Sequence, residues 1–253
     1  TGRLSGIVNH HVPKYLRSNQ LPSFETNCIE DWEEKLDRIV DETVHRDMRM
    51  ISGIPPWVQM YFERLIERTG KQTIKEIFPN FSLFVYGGVN YNPYRAKLEE
   101  LIGGKVDTLE TYPASEGFIA YQAFPKRRSM RLVLNNGIFY EFIPFDEKNF
   151  NSNGEVNPDA ETLLIDEVEE GKEYAPILSS CAGAWRYLIG DVIKFVSIEE
   201  SEIIITGRTK HFLSLCGEHL SVDNMNKAIE LVSNDMNVEI KEFTVAGIPY
   251  GTL

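Results

Sequence analysis

The chain has 253 residues, of which 42% are hydrophobic and 11% aromatic, so it can bury the core of one large domain or two modest ones. Its 26 basic and 38 acidic side chains give a net charge of −12, which excludes a general electrostatic attraction to nucleic acid or anionic lipid. Any phosphate ligand must therefore be held locally, by backbone amides, one or two cations and a metal.

Cysteine use and apolar runs indicate the compartment. The three cysteines are far apart and show no CxxC spacing, so they predict neither a zinc site nor a disulfide framework and favour a reducing compartment. The apolar runs are too short to span a bilayer, and residues 1–20 lack the apolar centre of a secretory signal. We therefore expect a cytoplasmic protein without a membrane or nucleic-acid partner.

Residues 1–125 predict an α/β part that opens with two helices. Apolar residues recur at helical spacing through 29–44, which places one apolar stripe against the core. Pro55 begins a second helix, because proline is tolerated where the first amides lack partners, and Gly70 ends it.

The next segments predict a parallel crossover. A buried strand at 81–86 meets the tight turn Gly87-Gly88, a helix capped by Asn92 extends to residue 102, and another strand covers 105–111. This order is typical of a right-handed parallel unit, whose ligand sites lie beyond the carboxyl ends of the strands.

Residues 126–207 predict a mainly β part. Strands at 131–134 and 138–143 flank Asn136-Gly137, which predicts a hairpin because Asn-Gly readily adopts positive φ. Further strands are predicted at 174–180, 187–198 and 202–206. The pattern favours an antiparallel, barrel-like part or an antiparallel sheet.

Residues 208–253 predict a hinge and a truncated C-terminal α+β domain. Ser221 is expected to cap a helix, and a strand is expected at 239–246. The chain begins at Thr1 and ends directly after that strand, so we expect a piece of a longer protein.

Two turns that follow predicted parallel strands are candidates for ligand contact. At Gly87-Gly88-Val89 the double glycine would let a flat ring lie against the backbone. In the second turn, Tyr112 could cover the other face of that ring, Ser115 could bond a phosphate oxygen, and Glu116 could hold hydrated magnesium. The alternative is a tight turn and a strand-ending tyrosine without a ligand.

Two further segments carry charged candidates. Asp191 follows a glycine between strands, where its carboxylate could accept two hydrogen bonds from the vicinal hydroxyls of a ribose. Arg208 could hold the sugar or a phosphate, and Lys210 lies where a hinge would bend. The alternatives are a turn aspartate and a solvated basic linker.

Taken in order, these segments resemble the adenylate-forming superfamily of acyl-CoA synthetases, peptide-synthetase adenylation domains and luciferases. Longer stretches resemble, more narrowly, the bacterial branch of the auxin-responsive promoter family; they are residues 51–57, 112–117, 137–143, 185–191 and 206–212. Plant members of that family are acyl-acid amido synthetases, which activate a carboxylic acid with ATP as an acyl adenylate and pass the acyl group to an amino acid.

The resemblance implies a role for each candidate. Tyr112 would stack on adenine, Ser115 would meet the α-phosphate, Glu116 would bind Mg²⁺, and Asp191 with Arg208 would hold the ribose. The implied cofactors are ATP/AMP and Mg²⁺, and the implied partners are a small carboxylic acid and an amino acid. The remaining implied positions are the nucleotide-binding residues Gly87, Gly88 and Val89, the hinge Lys210, and Ser115 with Glu116 as the catalytic pair.

Two departures from the superfamily bear on activity. The Ser/Thr/Gly-rich loop that wraps the β- and γ-phosphates is absent, and so is the late lysine-bearing segment. We therefore expect the full-length protein to be a ligase and this fragment to bind nucleotide weakly without turnover. A thioester-forming acyl-CoA ligase and a non-catalytic nucleotide-binding module remain the alternatives.

Overall fold

The computed structural model describes residues 12–13, 15, 19–210, 212–215, 218–236, 238, 240, 243 and 245. The chain divides into two compact units, residues 1–111 and residues 112–253. The expected domain boundary at 207/208 and the subdivision at 125/126 stay predictions.

The first unit combines helices with a short parallel sheet. Its helices are α1 (Phe24–Asn27), α2 (Trp32–Thr43), α3 (Pro55–Thr69), α4 (Ile74–Ile77) and α5 (Asn92–Ile102). Its strands are β1 (Met50–Ser52), β2 (Leu83–Gly87) and β3 (Asp107–Ala114), the last of which runs past Thr111. Strand β2 pairs in parallel with both β1 and β3, which confirms the predicted strand–helix–strand crossover.

Local sequence signals explain where the long helices begin and end. The Asp31 side chain accepts a hydrogen bond from the Glu34 amide and so caps α2. Pro55 lies in the first turn of α3, and Gly70 ends that helix in the left-handed conformation at φ 66°. In the part of the chain that the structure describes, no helix has the length and apolar character needed to cross a membrane.

The predicted capping of α5 by the Asn92 side chain is wrong, because the N-cap position is Tyr91. Asn92 is the first residue of the helix, and its amide donates to the side chain of Asn90 at 2.9 Å. The Asn90 oxygen therefore satisfies a free amide at this helix start, the task that the prediction gave to Asn92. Asparagine occurs at both positions, so residue type alone does not distinguish them.

The core of the first unit lies between the helices and the parallel strands. Side chains from α3, β2 and α5 are fully buried there; they include Phe62, Leu65, Phe84, Leu98 and Ile102. Burying a side chain of this size contributes about 1.5–3 kcal/mol, so helix packing rather than helix propensity holds this unit together.

The second unit is mainly antiparallel. Its first seven strands are β4 (Gly117–Tyr121), β5 (Met130–Leu132), β6 (Ile138–Pro144), β7 (Glu173–Ser180), β8 (Tyr187–Leu188), β9 (Asp191–Ser197) and β10 (Glu202–Arg208). They follow the order β4-β5-β10-β9-β7-β6, with β8 against β7. Within the described residues β4 and β6 do not pair, so the α/β fold with an antiparallel part is confirmed as an open sheet rather than a closed barrel.

The predicted hairpin across Asn136-Gly137 is wrong. Both strands exist, but β5 pairs with β4 and β10, whereas β6 pairs with β7. The turn itself is present, because Gly137 has φ 81° and the Asn136 side chain donates to the Phe118 carbonyl at 2.7 Å. Asn136-Gly137 thus turns the chain without making its two flanking strands neighbours.

The remaining elements of the second unit are β11 (Phe212–Leu215), β12 (Glu218–Ser221) and α6 (Val222–Met236), with β11 and β12 antiparallel. Helix α6 confirms the predicted C-terminal helix. The side chain of Ser221 and most of residues 239–246, where a strand was predicted, lie outside the described residues.

Candidate functional site

Three predicted site residues meet around one carboxylate in the second unit. Asp191 begins β9 and Arg208 ends β10, and the antiparallel register places them directly opposite each other. The Arg208 Nε lies 3.0 Å from Asp191 Oδ1, and the Tyr112 hydroxyl donates a hydrogen bond to Asp191 Oδ2. We call Tyr112, Asp191 and Arg208 the Asp191 cluster.

A backbone hydrogen bond between Thr209 and Gly190 joins the two strand ends that carry this cluster. Gly190, directly before Asp191, has φ 86°, which is a left-handed conformation that glycine adopts without a steric cost. The amide of Thr209, directly after Arg208, donates to the Gly190 carbonyl at 2.8 Å. This bond holds the two strand ends together, so the relative position of the Asp191 and Arg208 backbones is set before any ligand binds.

The electrostatics of the cluster favour a neutral phenol beside a charged carboxylate. Burial raises the pKa of Tyr112 well above its usual range, and the neighbouring Asp191 carboxylate raises it further. The Tyr112 hydroxyl therefore remains a hydrogen-bond donor. Each Asp191 oxygen has one partner in the cluster and a second lone pair, so the carboxylate can accept two more hydrogen bonds.

Access to the cluster is unequal among its members. The side chain of Arg208 is 61% exposed and that of Asp191 is 11% exposed. Tyr112 is 6% exposed, because its ring packs in a hydrophobic cluster with Ile119 and Met130. The geometry thus supports the Tyr112 hydroxyl as an anchor for Asp191, whereas stacking of its ring on adenine stays a prediction.

Ser115 and Glu116 form the turn between β3 and β4. Ser115 is exposed and Glu116 is partly exposed, and neither side chain has a hydrogen bond or ion pair within the described residues. The Glu116 carboxylate is close enough to Tyr112 to contribute to the raised pKa of that phenol. Both side chains are therefore available to a ligand.

The turn between β3 and β4 can hold Mg²⁺ only together with oxygen atoms of a bound phosphate compound and water. No group of three or more histidine, cysteine, aspartate or glutamate side chains in the described residues could hold a metal ion. Mg²⁺ in phosphate sites typically takes one or two carboxylates together with substrate phosphates and water. The single carboxylate of Glu116 fits a site of this kind, in which phosphates and water supply the other ligands.

The other predicted residues lie at strand ends or in turns. Their roles stay predictions. Gly87 ends β2 in register with Thr111, Gly88 has φ 82°, and Val89 is exposed; all three belong to the first unit. Lys210 is exposed and follows the buried Thr209.

Sequence reasoning missed two polar residues with tertiary roles. Thr209 is 2% exposed and bonds the backbone before Asp191, although the sequence shows it only as the residue after Arg208. In the first unit, Glu110 on β3 accepts a hydrogen bond from the Tyr86 hydroxyl at 3.4 Å, and burial raises the pKa of its carboxyl. The available signal for Glu110 was an acidic residue within a predicted strand.

Comparison with known proteins identifies the family. The GH3 family N-terminal domain matches residues 2–107, and the GH3 family central domain matches residues 131–206. A jasmonoyl–L-amino acid synthetase of Nicotiana attenuata, JAR6, is 28% identical over 181 residues, which cover 68% of this chain and 30% of that protein. The chain therefore spans about a third of the length of this curated relative.

Solved structures share the fold. A GH3.15 acyl acid amido synthetase in complex with 2,4-DB superposes with a TM-score of 0.65 at 16% identity, covering 91% of this chain and 49% of the other. An open conformation of 2-hydroxyisobutyryl-CoA ligase with 2-HIB-AMP and CoA gives a TM-score of 0.53 at 13% identity, covering 78% of this chain and 44% of the other. The fold is that of adenylate-forming enzymes, and the chain belongs to the GH3 family.

Proposed function

We propose that the full-length protein containing this chain is an acyl-acid amido synthetase, which uses ATP to activate a carboxylic acid and then forms an amide with an amino acid. The observation that carries the proposal is the Asp191 cluster, in which each oxygen of a buried carboxylate has a lone pair beyond the one its cluster partner uses, beside an exposed arginine, in a chain of the GH3 family. Vicinal ribose hydroxyls are donors that match those lone pairs.

The proposed reaction has two steps. In the first, a carboxylate oxygen of the acid attacks the α-phosphorus of ATP, the bond to the β-phosphate oxygen breaks, and pyrophosphate leaves. In the second, the amine nitrogen of the amino acid attacks the acyl carbon, loses a proton, and AMP leaves with the acyl–oxygen bond pair. Holding the acid carboxylate in line with the α-phosphorus lowers the activation barrier. The translational and rotational entropy of the reactants is then lost on binding and not in the chemical step.

We assign the second-unit residues to the nucleotide. Asp191 would accept the ribose hydroxyls while Tyr112 and Arg208 hold its carboxylate in place. Arg208 would also offer its exposed guanidinium to the nucleotide. This local positive charge would attract the anionic nucleotide, although the chain as a whole carries a net charge of −12.

The turn after β3 would meet the phosphates. Ser115 would donate to an α-phosphate oxygen, and Glu116 would hold Mg²⁺, which offsets negative charge on the departing pyrophosphate when bound. Gly87, Gly88 and Val89 would border the adenine, and Lys210 would be the hinge residue. A cytoplasmic location and membership of a bacterial branch likewise stay predictions from the sequence.

A pyrophosphate-release assay with two kinds of acceptor tests the function. We expect the full-length protein with ATP and Mg²⁺ to release pyrophosphate in the presence of a suitable carboxylic acid, and to form product with amino acids but not with coenzyme A. Product with coenzyme A alone would favour the thioester ligase. The absence of pyrophosphate release across a broad acid panel would favour the non-catalytic nucleotide-binding module.

A further inference from the structure

We infer that Gly154, in the loop between β6 and β7, is a positioning residue that supports the backbone carrying Arg208. The catalytic consequence of this inference rests on the proposed function, but its structural part does not. No motif at residue 154 pointed to a role, and the contact joins positions that are more than 50 residues apart in the sequence.

Gly154 lies directly against the backbone that follows Arg208. It is buried, with φ 71°. A Cβ atom built on it would overlap the Thr209 carbonyl oxygen and lie 2.6 Å from the Thr209 carbonyl carbon and 3.2 Å from the Lys210 Cα. The obstructing atoms are backbone, so a side chain at 154 requires the loop or the Thr209–Lys210 peptide to move.

The Gly154 loop is tied together and can resist such a shift. The Asn151 side-chain oxygen accepts from the amides of Asn153 at 2.9 Å and Glu155 at 3.0 Å. The Gly154 amide donates to the Asn151 carbonyl at 3.0 Å, and the Asn151 amide donates to the Glu155 carbonyl at 2.9 Å. The loop is therefore a closed turn rather than an extended connection.

Thr209 is held on its other side by the backbone that precedes Asp191. Its amide donates to the Gly190 carbonyl at 2.8 Å, and its hydroxyl approaches the same oxygen at 3.4 Å. Two separate chain segments thus contact the Thr209 backbone: Gly190 accepts from its amide, and Gly154 lies against its carbonyl group. Because Arg208 precedes Thr209 and Asp191 follows Gly190, a shift of the Thr209 peptide changes the fit between Arg208 and Asp191.

Gly154→Ala in the full-length protein tests the inference, with Gly171→Ala as the matched control. Gly171 has φ 81°, close to that of Gly154, but a Cβ there meets nothing within 4 Å. Both variants place alanine in a left-handed conformation, whereas only Gly154→Ala adds a clash with Thr209. Comparing the two variants therefore separates the effect of the clash with Thr209 from the effect of backbone strain.

Hydrogen exchange of the Thr209 amide gives a readout that is independent of catalysis. We expect exchange to be about tenfold faster in Gly154→Ala than in Gly171→Ala, because displacement of the peptide weakens its bond to Gly190. Equal exchange in the two variants would overturn the inference. Should Gly154→Ala fail to fold, Asn151→Ala, which loosens the loop without a clash, is expected to accelerate the same amide relative to Asn153→Ala, and equal rates there would overturn it.

Kinetics then test the catalytic consequence. Gly154→Ala is expected to raise the KM for ATP about tenfold while leaving the KM for the acid unchanged, because Arg208 faces the nucleotide. An equal rise in both constants, or none in the KM for ATP, would contradict the catalytic role. If even the unaltered protein releases no pyrophosphate, the proposed function fails, while the Thr209 exchange still decides the structural inference.

Discussion

Tyr112 combines a buried ring with a hydroxyl that bonds the Asp191 carboxylate. The family resemblance implies that its ring stacks on adenine, which stays a prediction. In the structure the ring packs in a hydrophobic cluster and the hydroxyl donates to Asp191. Because its pKa is raised by burial and by the Asp191 charge, the phenol stays protonated and keeps one carboxylate oxygen in place. In the proposed function, the Tyr112 hydroxyl would support nucleotide binding by holding Asp191 in place.

Tyr112→Phe separates these two roles, since it keeps the ring and removes the hydroxyl. We expect the KM for ATP of the full-length protein to rise about tenfold, because a hydrogen bond to a charged group contributes about 1.5–3 kcal/mol. The measurement is the ATP dependence of pyrophosphate release. Tyr121→Phe, the same change at an exposed tyrosine of β4, is the control and should leave the KM unchanged.

An unchanged KM in Tyr112→Phe would show that the hydroxyl does not contribute to ATP binding. A loss of thermal stability without a change in KM would likewise assign the hydrogen bond to folding alone.

At the scale of single residues, the sequence predicts site residues that lie within recognisable segments. It does not predict contacts between segments that are far apart in the chain. Asp191 and Arg208 stand in recognisable segments, and the register of β9 and β10 places them together. Thr209 stands in such a segment and Gly154 does not, but the close backbone approach between the two is not visible in the sequence.

Among the elements, α1 depends on a single carboxylate of α2. The Glu42 side chain accepts hydrogen bonds from the Ser23 amide and the Ser23 hydroxyl, each at 2.7 Å, and from the Thr26 hydroxyl. Burial acts to raise the pKa of Glu42, but the hydrogen bonds from Thr26 and Ser23 outweigh it and hold the pKa below the ordinary value of 4.5. Ionised Glu42 thus fastens the start of α1 to α2.

Acidification should release this attachment. A carboxyl group with a lowered folded-state pKa contributes stability above its unfolded pKa, here 4.5, and that contribution is lost as the pH falls through the lower folded value. We expect exchange of the Thr26 amide to accelerate as the pH falls below 4.5, after correction for intrinsic exchange.

Glu42→Gln should show fast Thr26 exchange already at neutral pH and lose the acid dependence. Glu34→Gln, at an exposed position of the same helix, should behave as the unaltered protein does. An acid dependence that persists in Glu42→Gln would contradict the assignment.

Helices were easier to predict than strand neighbours, for a physical reason. The stripe of α2 and the proline and glycine that bound α3 are local signals, so both helices follow from the sequence. Strand pairing is set by partners far along the chain. The Asn136-Gly137 turn therefore predicted a hairpin that does not form, because β5 binds β10, whose residues come about 70 positions later in the sequence.

For the whole molecule, the most informative signal was the order of separated segments. The net charge of −12 argues against a general electrostatic attraction to nucleic acid, but composition and charge could not distinguish one fold from another. The ordered segments resembled the family that the domain matches then identified, and the solved structures of adenylate-forming enzymes share the fold. The sequence could not predict whether the antiparallel sheet is open or closed, because closure depends on whether β4 pairs with β6.

A crystal structure of the full-length protein with bound AMP tests the central claim most directly. We predict that both ribose hydroxyls lie about 2.5–3.0 Å from the Asp191 carboxylate oxygens, with Arg208 and the Tyr112 hydroxyl still in contact with that carboxylate. AMP bound with its ribose away from Asp191, while the Asp191 cluster stays intact, would contradict the account.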